Sequence, residues 1–294
     1  MYDAVPAVRK VYEEAAAVLG YDIASLCFNG PADRLNLTEF TQPALLVTSM
    51  AAFRLLEPSG IRAVAVAGHS LGEYSALVAA KGLAYPDAVA LVQKRGRYMA
   101  EAVPSGSGLV AALLGGDPQI AIEVCREAAA VGLVAPANFN CPGQIVIAGE
   151  KAAVERAIEL AKGKGCRKAI LLPVSVPVHT ALMQVAADRL AHDVAGVRWS
   201  DLTIPLVNNA EAKPLQRAGD VQASLIRQLA SPVRWEESIR TMWEMGVRIF
   251  VEVGPGAVLT GLIKRIVPDA ETYNVHDPAS LETMTHALIA HHES

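Results

Sequence analysis

Between Gly106 and Val176 the residue pattern switches repeatedly between strand and helix periods, and this limits the folds open to the chain more than any other feature. Residues 109–114, 134–139, 144–148 and 168–174 read as strands, with helices predicted at 118–130 and 152–162. The order is β-α-β-β-α-β, the ferredoxin-like arrangement. Pro, Gly and Ser gather at both ends, over 104–108 and 173–177, which suits a unit inserted into a larger one. The expected layout is therefore a small domain over 106–176 set into a large domain made of 1–105 and 177–294.

The flanking sequence also alternates, which favours an α/β architecture. Val8, Val11, Ala15 and Val18 recur at helical spacing over 5–19, and 43–56 reads as a second buried helix. Residues 62–67 read as a short strand, apolar on both faces as in a parallel sheet, followed by helices at 74–81 and 87–102. Beyond the small domain come a helix at 179–194, a strand at 204–207, a helix through Leu225, a helix at 235–245 and a strand at 247–253.

With 294 residues, 52% of them hydrophobic, the chain can bury a large core. A net charge of −4 with 19% charged residues offers no polybasic signature, so nucleic acid is not expected as a partner. No apolar run approaches the ~20 residues needed to span a bilayer, so no membrane association is expected either. Met1-Tyr2-Asp3-Ala4 lacks the layout of a signal peptide, and the four cysteines are far apart. They read as reduced thiols of a cytoplasmic protein, with no metal site expected. The tail, 291–294, reads as frayed.

Gly68-His69-Ser70-Leu71-Gly72 is a G-x-S-x-G sequence between a predicted strand and a predicted helix. A strained turn there presents the serine hydroxyl at the sheet end, and the backbone N–H of Leu71 faces a developing oxyanion. Ser70 is thus the candidate nucleophile, and it needs a base. His69 sits in the same tight turn, with its ring badly placed for that role. His192 and His286 fall on predicted helices, and His291 and His292 in the tail. His179, at a strand end and the predicted first turn of a helix, and His276, in Asn274-Val275-His276-Asp277-Pro278, both stay open as the base. Two other Gly-rich stretches are set aside as dinucleotide sites. Residues 106–111 have helix and strand in the wrong order, and 254–256 lacks the third small residue, Leu259 standing there.

The residues around Ser70 carry a resemblance. Gly68-His69-Ser70-Leu71-Gly72-Glu73-Tyr74-Ser75-Ala76 resembles the nucleophile segment of the malonyl-CoA:acyl carrier protein transacylases of type II fatty acid synthesis. Further segments match in the same order: Gln42-Pro43-Ala44, Arg95-Gly96-Arg97-Tyr98-Met99, Asn138-Phe139-Asn140-Cys141-Pro142-Gly143-Gln144, Val174-Ser175-Val176-Pro177-Val178-His179, Val207-Asn208-Asn209 and Glu252-Val253-Gly254-Pro255-Gly256. The resemblance implies a hydrolase-like parallel-sheet core with an inserted ferredoxin-like small domain. It also implies that Ser70 is acylated by malonyl-CoA, with no bound cofactor, and that His179 is the base. The other nitrogen of that ring would meet a backbone carbonyl near Pro232-Val233-Arg234-Trp235. Arg95 would grip the free malonyl carboxylate, and His69, Asn138 and Asn140 would line the substrate cleft. Coenzyme A would leave before the thiol of the partner, an acyl carrier protein, attacks. Lys162, Lys164, Arg167 and Lys168 form a basic cluster that suits docking of an acidic carrier.

Members of that family open with a short apolar strand and a Phe-Pro-Gly-Gln-Gly-Ser-Gln loop, neither of which precedes the first helix here. The expectation is a start placed downstream of the true one, with an oxyanion donor and a core strand lost. Two rival readings remain beside the transferase: a thioesterase of the α/β-hydrolase type using Ser70 and His276, and a catalytically impaired subunit that binds the carrier.

Overall fold

The computed structural model describes residues 1–174 and 176–292. Ser175, Glu293 and Ser294, which belong to a matched segment and to the tail above, lie outside them. The first part of the chain is helical: α1 (Pro6–Leu19), α2 (Ile23–Asn29), α3 (Ala32–Leu35), α4 (Thr38–Leu56), α5 (Gly72–Ala79) and α6 (Tyr85–Glu101). In α1 the predicted stripe is buried at Val8, Val11 and Ala15, joined by Tyr12 and Leu19. Helix α4 starts ahead of Pro43, which the pattern takes as its opening. Thr41 N–H already donates to Leu37 O at 2.9 Å, so the helix is established before the proline removes one rung.

Residues 62–67 are the clearest departure from the predicted elements. They form no strand. Val66 alone bridges to Leu206, in parallel sense, and Val64 is 69% exposed. A strand is defined by a ladder along its length, and the neighbour that Val66 finds, β5 (Leu206–Val207), is too short to supply one.

The middle of the chain follows the predicted order: β1 (Gly108–Leu114), α7 (Pro118–Ala128), β2 (Val134–Cys141), β3 (Gln144–Glu150), α8 (Lys151–Gly163) and β4 (Lys168–Leu171). The strands pair as β2-β3-β1-β4, each pair antiparallel. Val124, Ala128, Val154, Ala157 and Ala161, from the two helices, close one face of this sheet against Ala111, Leu113, Ile145 and Ile147. The outer edge of β2 is covered by the segment before a later helix. Phe139 N–H donates to Val233 O, and Val233 N–H to Ala137 O, both at 2.8 Å. The small sheet is thereby tied to the rest of the molecule beside the Asn138 and Asn140 positions.

After β4 come α9 (Gln184–Ala195), β5, β6 (Pro214–Leu215), α10 (Ala218–Gln228), α11 (Trp235–Glu244), β7 (Ile249–Val253), α12 (Val258–Ile266), β8 (Glu271–Val275) and α13 (Pro278–His292). β7 and β8 pair in parallel along their whole length, Ile249 opposite Glu271 and Val253 opposite Val275. Among the described residues parallel pairing is limited to this pair and the bridges of Val66 and Asn138. One large core joins α1, α2, α4, α5, α6, α9 and α10. Two of its helices meet closely at Gly96, where a Cβ would lie 2.6 Å from Thr38 O. That contact sets the height of the preceding residue, Arg95, on α6.

Candidate active site

The turn at Ser70 is strained in the way a nucleophile elbow requires. Ser70 has φ +52°, a left-handed conformation that costs a residue with a Cβ about 1–2 kcal/mol. The turn is closed by Gly72 N–H to His69 O at 2.9 Å and Glu73 N–H to Ser70 O at 3.1 Å. Asn209 clamps it from the side, accepting from Ser70 N–H at 2.6 Å on Oδ1 and donating from Nδ2 to Gly68 O at 2.8 Å. Leu71 is the N-cap of α5, so its N–H lies outside the helical ladder and is available to an oxyanion. The two glycines of the motif differ in what they permit. A Cβ on Gly68 would fall 1.9 Å from the carbonyl carbon of Gly72, whereas one on Gly72 meets nothing within 4 Å. Gly68→Ala should accordingly lose more than about 4 kcal/mol of unfolding free energy in chemical denaturation, and Gly72→Ala no more than about 1 kcal/mol. Equal effects would contradict this account of the turn.

Of the two histidines left open, His179 is the one brought to Ser70. Its Nε2 lies 2.7 Å from Ser70 Oγ, across 109 residues of chain. His276 instead contacts Asn274 and Asp277 in an exposed position. The carbonyl behind His179 belongs to Gln228, at the end of α10, which accepts from Nδ1 at 2.9 Å. The expected position near 232–235 is corrected by a few residues, because the end of α10 comes to the ring while Val233 is occupied by β2. Nor does His179 open a helix. It has φ +58° and precedes the 3₁₀ turn Ala181–Met183, which leads into α9. Its neutral state has another cause: at 2% exposure, burial and then the charge of Arg95 push its pKa down to about 3. The folded protein resists a proton that the unfolded chain accepts near pH 6.5, so this residue's contribution to stability falls as pH drops from about 6.5 toward 3.

Arg95 is 1% exposed, and its acceptors are all uncharged. Nη1 donates to Gln42 Oε1 at 2.6 Å, and Nη2 to Gln228 Oε1 and Ser70 Oγ, each at 3.1 Å. Two amides hold the fork without neutralising it. Gln228 is the hub, since its Nε2 also donates to Ser70 O at 2.9 Å and to Glu73 Oε2. Gln42 and Asn209 lie in segments that match the family, yet neither has a role in the sequence reading. Glu73 likewise lies in the matched nucleophile segment without a role there, and Gln228 lies outside every matched segment. A glutamine at the end of an amphipathic helix and a glutamate after a G-x-S-x-G motif look like surface residues until burial is known.

The remaining predicted positions divide. His69 Nε2 lies 2.8 Å from Asn140 Oδ1, and its ring packs on Trp235, so His69 and Asn140 form one wall. Asn138 is buried on the same strand, at the bridge to Val233. In the basic cluster Lys164 is engaged by Glu127 at 2.5 Å and Glu123 at 3.4 Å. Arg167 lies over Gly115, and Lys162 and Lys168 are exposed.

A hydroxyl that meets an imidazole and a buried guanidinium at one strained turn has the arrangement an activated serine nucleophile needs. The chain belongs to the acyl transferase domain family, whose profile matches residues 3–286. It is 48% identical over 277 residues to the malonyl CoA-acyl carrier protein transacylase of Escherichia coli K12, covering 94% of this chain and 90% of that one. Identity to the Bacillus subtilis protein of the same name is 45% over 289 residues, covering 98% and 91%. Among solved structures, a malonyl-transacylase in complex with a type II polyketide acyl-carrier protein superposes with a TM-score of 0.95 at 46% identity, covering 97% and 93%. No helix among the described residues is long and apolar enough to cross a membrane.

Proposed function

We propose that the chain transfers the malonyl group of malonyl-CoA to the phosphopantetheine thiol of an acyl carrier protein through an ester on Ser70. The observation that carries this reading is the meeting of His179 Nε2 and Arg95 Nη2 at Ser70 Oγ, at 2.7 and 3.1 Å. His179 takes the Ser70 proton as Oγ attacks the thioester, and Gln228 O steadies the imidazolium that forms. The Leu71 N–H faces the oxyanion. The proton then goes to the departing coenzyme A thiolate. In the second half-reaction His179 takes a proton from the carrier thiol, which attacks the ester and returns Ser70 to its hydroxyl form. Arg95 receives the free carboxylate of the acyl group while Gln42 and Gln228 hold the fork, and a planar fork suits that pairing. His69, Asn138 and Asn140 line the cleft beside it. Neither half-reaction calls on a bound cofactor.

With this reading goes a hydrolase-like core of 1–105 and 177–294 with a ferredoxin-like small domain over 106–176, for which the antiparallel β2-β3-β1-β4 sheet is the support. The cleft then lies where β2 meets the 232–235 segment. Lys162, Arg167 and Lys168 are the docking residues for the carrier, with Lys164 contributing less because two glutamates already hold it. Incubation with malonyl-CoA alone should add one malonyl group, mapped by peptide mass spectrometry to Ser70 and absent from Ser70→Ala. An adduct that persists in that variant would overturn the reading.

A further inference from the structure

A carboxyl group lies buried beneath the site with no part in the steps above. Glu73 is 1% exposed; its Oε1 accepts from Asn209 N–H at 3.3 Å and its Oε2 from Gln228 Nε2. The same Gln228 amide presents its Oε1 to Arg95 Nη2 at 3.1 Å. A single primary amide therefore stands between a buried guanidinium and a buried carboxyl, with its oxygen toward the cation and its donor toward the acid. The groups that face Glu73 are few. Arg95 comes from α6, Glu211 from the loop after β5, and Tyr74 from its own helix, with the neutral amides of Asn209 and Gln228 between them. Glu211 is already committed to Arg227 at 2.8 Å and to Asn208. Among the described residues facing Glu73, Arg95 is the single cation.

With Glu73 ionised, one buried cation balances one buried anion. A second carboxylate placed against Arg95 leaves two anions for one guanidinium in a medium of low dielectric, and one of them must then be neutralised. The incoming carboxylate touches the guanidinium directly, while Glu73 is an amide away, so Glu73 is the weaker claimant. We propose that Glu73, in its ionised form, is the internal counter-charge of Arg95, and that this form takes up a proton from solvent when a carboxylate-bearing acyl group docks on Arg95. This rests on the carboxylate-clamp reading of Arg95. Glu73 here is a positioning residue that sets the charge Arg95 offers and does not touch the substrate. In the empty site, burial, offset in part by Gln228, Asn209 and Arg95, pushes Glu73 up to about 8. Linkage then requires that ionised Glu73 oppose the malonyl donor, whose binding weakens as pH rises above about 8.

The test is proton uptake during one round of Ser70 acylation, followed with a pH indicator in weak buffer. Malonyl-CoA is compared with acetyl-CoA at equal extents of acylation, since the two share nucleotide and thiol and differ by the carboxylate. Near pH 8.5 the malonyl reaction should take up as much as about one extra proton per site, falling toward none at pH 6, where Glu73 is already protonated. In the wild type the KM for malonyl-CoA should rise by up to about tenfold per pH unit above pH 8, a slope that Glu73→Gln abolishes. Identical proton balances for the two donors in the wild type overturn the proposal without reference to any variant, as does a Glu73→Gln enzyme that keeps the wild-type slope. Arg95→Ala separates the two levels. If that variant still prefers malonyl-CoA, the clamp reading fails and this proposal with it. If it loses the preference while wild-type malonylation takes up no proton, Glu73 alone is wrongly assigned.

Discussion

His179→Ala should slow acylation of Ser70 by malonyl-CoA by about 10²–10⁴-fold, the contribution expected of a positioned general base. The hydroxyl keeps its bond from Arg95 Nη2 at 3.1 Å in this variant, but that group donates and cannot accept the serine proton. Because Ser70 and His179 act as a unit, Ser70→Ala/His179→Ala should transfer no more slowly than Ser70→Ala alone. His276→Ala, which removes an exposed ring engaged with Asn274 and Asp277, should leave the rate within about twofold of wild type. The pH profile adds a second check. With the base held down to about 3, the acylation rate at pH 5 should stay near its value at pH 7 rather than fall with the titration of an ordinary imidazole. Rapid-quench measurement of the acyl-enzyme reads both effects. A His179→Ala enzyme that acylates normally would remove His179 from the mechanism, whereas a wild-type limb centred near pH 6.5 would mean that burial and Arg95 do not hold its pKa down.

The second large effect is on selectivity. Arg95→Ala should lower kcat/KM for malonyl-CoA by about 30-fold to several thousand-fold, since truncating one partner of a buried, hydrogen-bonded charge pair costs about 2–5 kcal/mol. Acetyl-CoA brings no carboxylate, and it leaves the guanidinium among the uncharged acceptors Gln42, Gln228 and Ser70. Its kcat/KM should be kept or should rise in the variant, so that the malonyl-to-acetyl ratio collapses. Arg95→Lys should not restore the ratio, because an ammonium lacks the planar fork that engages Gln42 and Gln228 while facing a carboxylate. Parallel losses for both donors would mean that Arg95 supports the turn and not the choice of substrate.

How far the site was legible depends on the kind of information each residue carries. The elbow is local: Gly68, Ser70 and the start of α5 lie within a few positions, and the clash of a Cβ at position 68 with Gly72 is a property of that short turn. Arg95 stood out only through the resemblance, since beside Lys94 and Arg97 its composition suggests a solvated face. On residues alone His179 and His276 were equal, because nothing in either neighbourhood records its distance from position 70. The strand expected over 62–67 fails for a related reason. Its apolar residues suit a sheet, but a ladder depends on what lies alongside, and there only Val66 finds a partner.

The order of elements over 106–176, the turn at Ser70, and the charged and nucleophilic groups available to the chemistry can all be read along the chain. These follow from nearest-neighbour sterics and periodicity, which act within a few residues of chain. That Gln228, 49 residues from His179 and 158 from Ser70, holds the imidazole, the guanidinium, the serine carbonyl and Glu73 together emerges on folding alone. Folding also buries Arg95, Glu73 and His179, and burial, which holds the His179 imidazole in its neutral form and raises the pKa of Glu73, is a property of the packed molecule that no single segment contains.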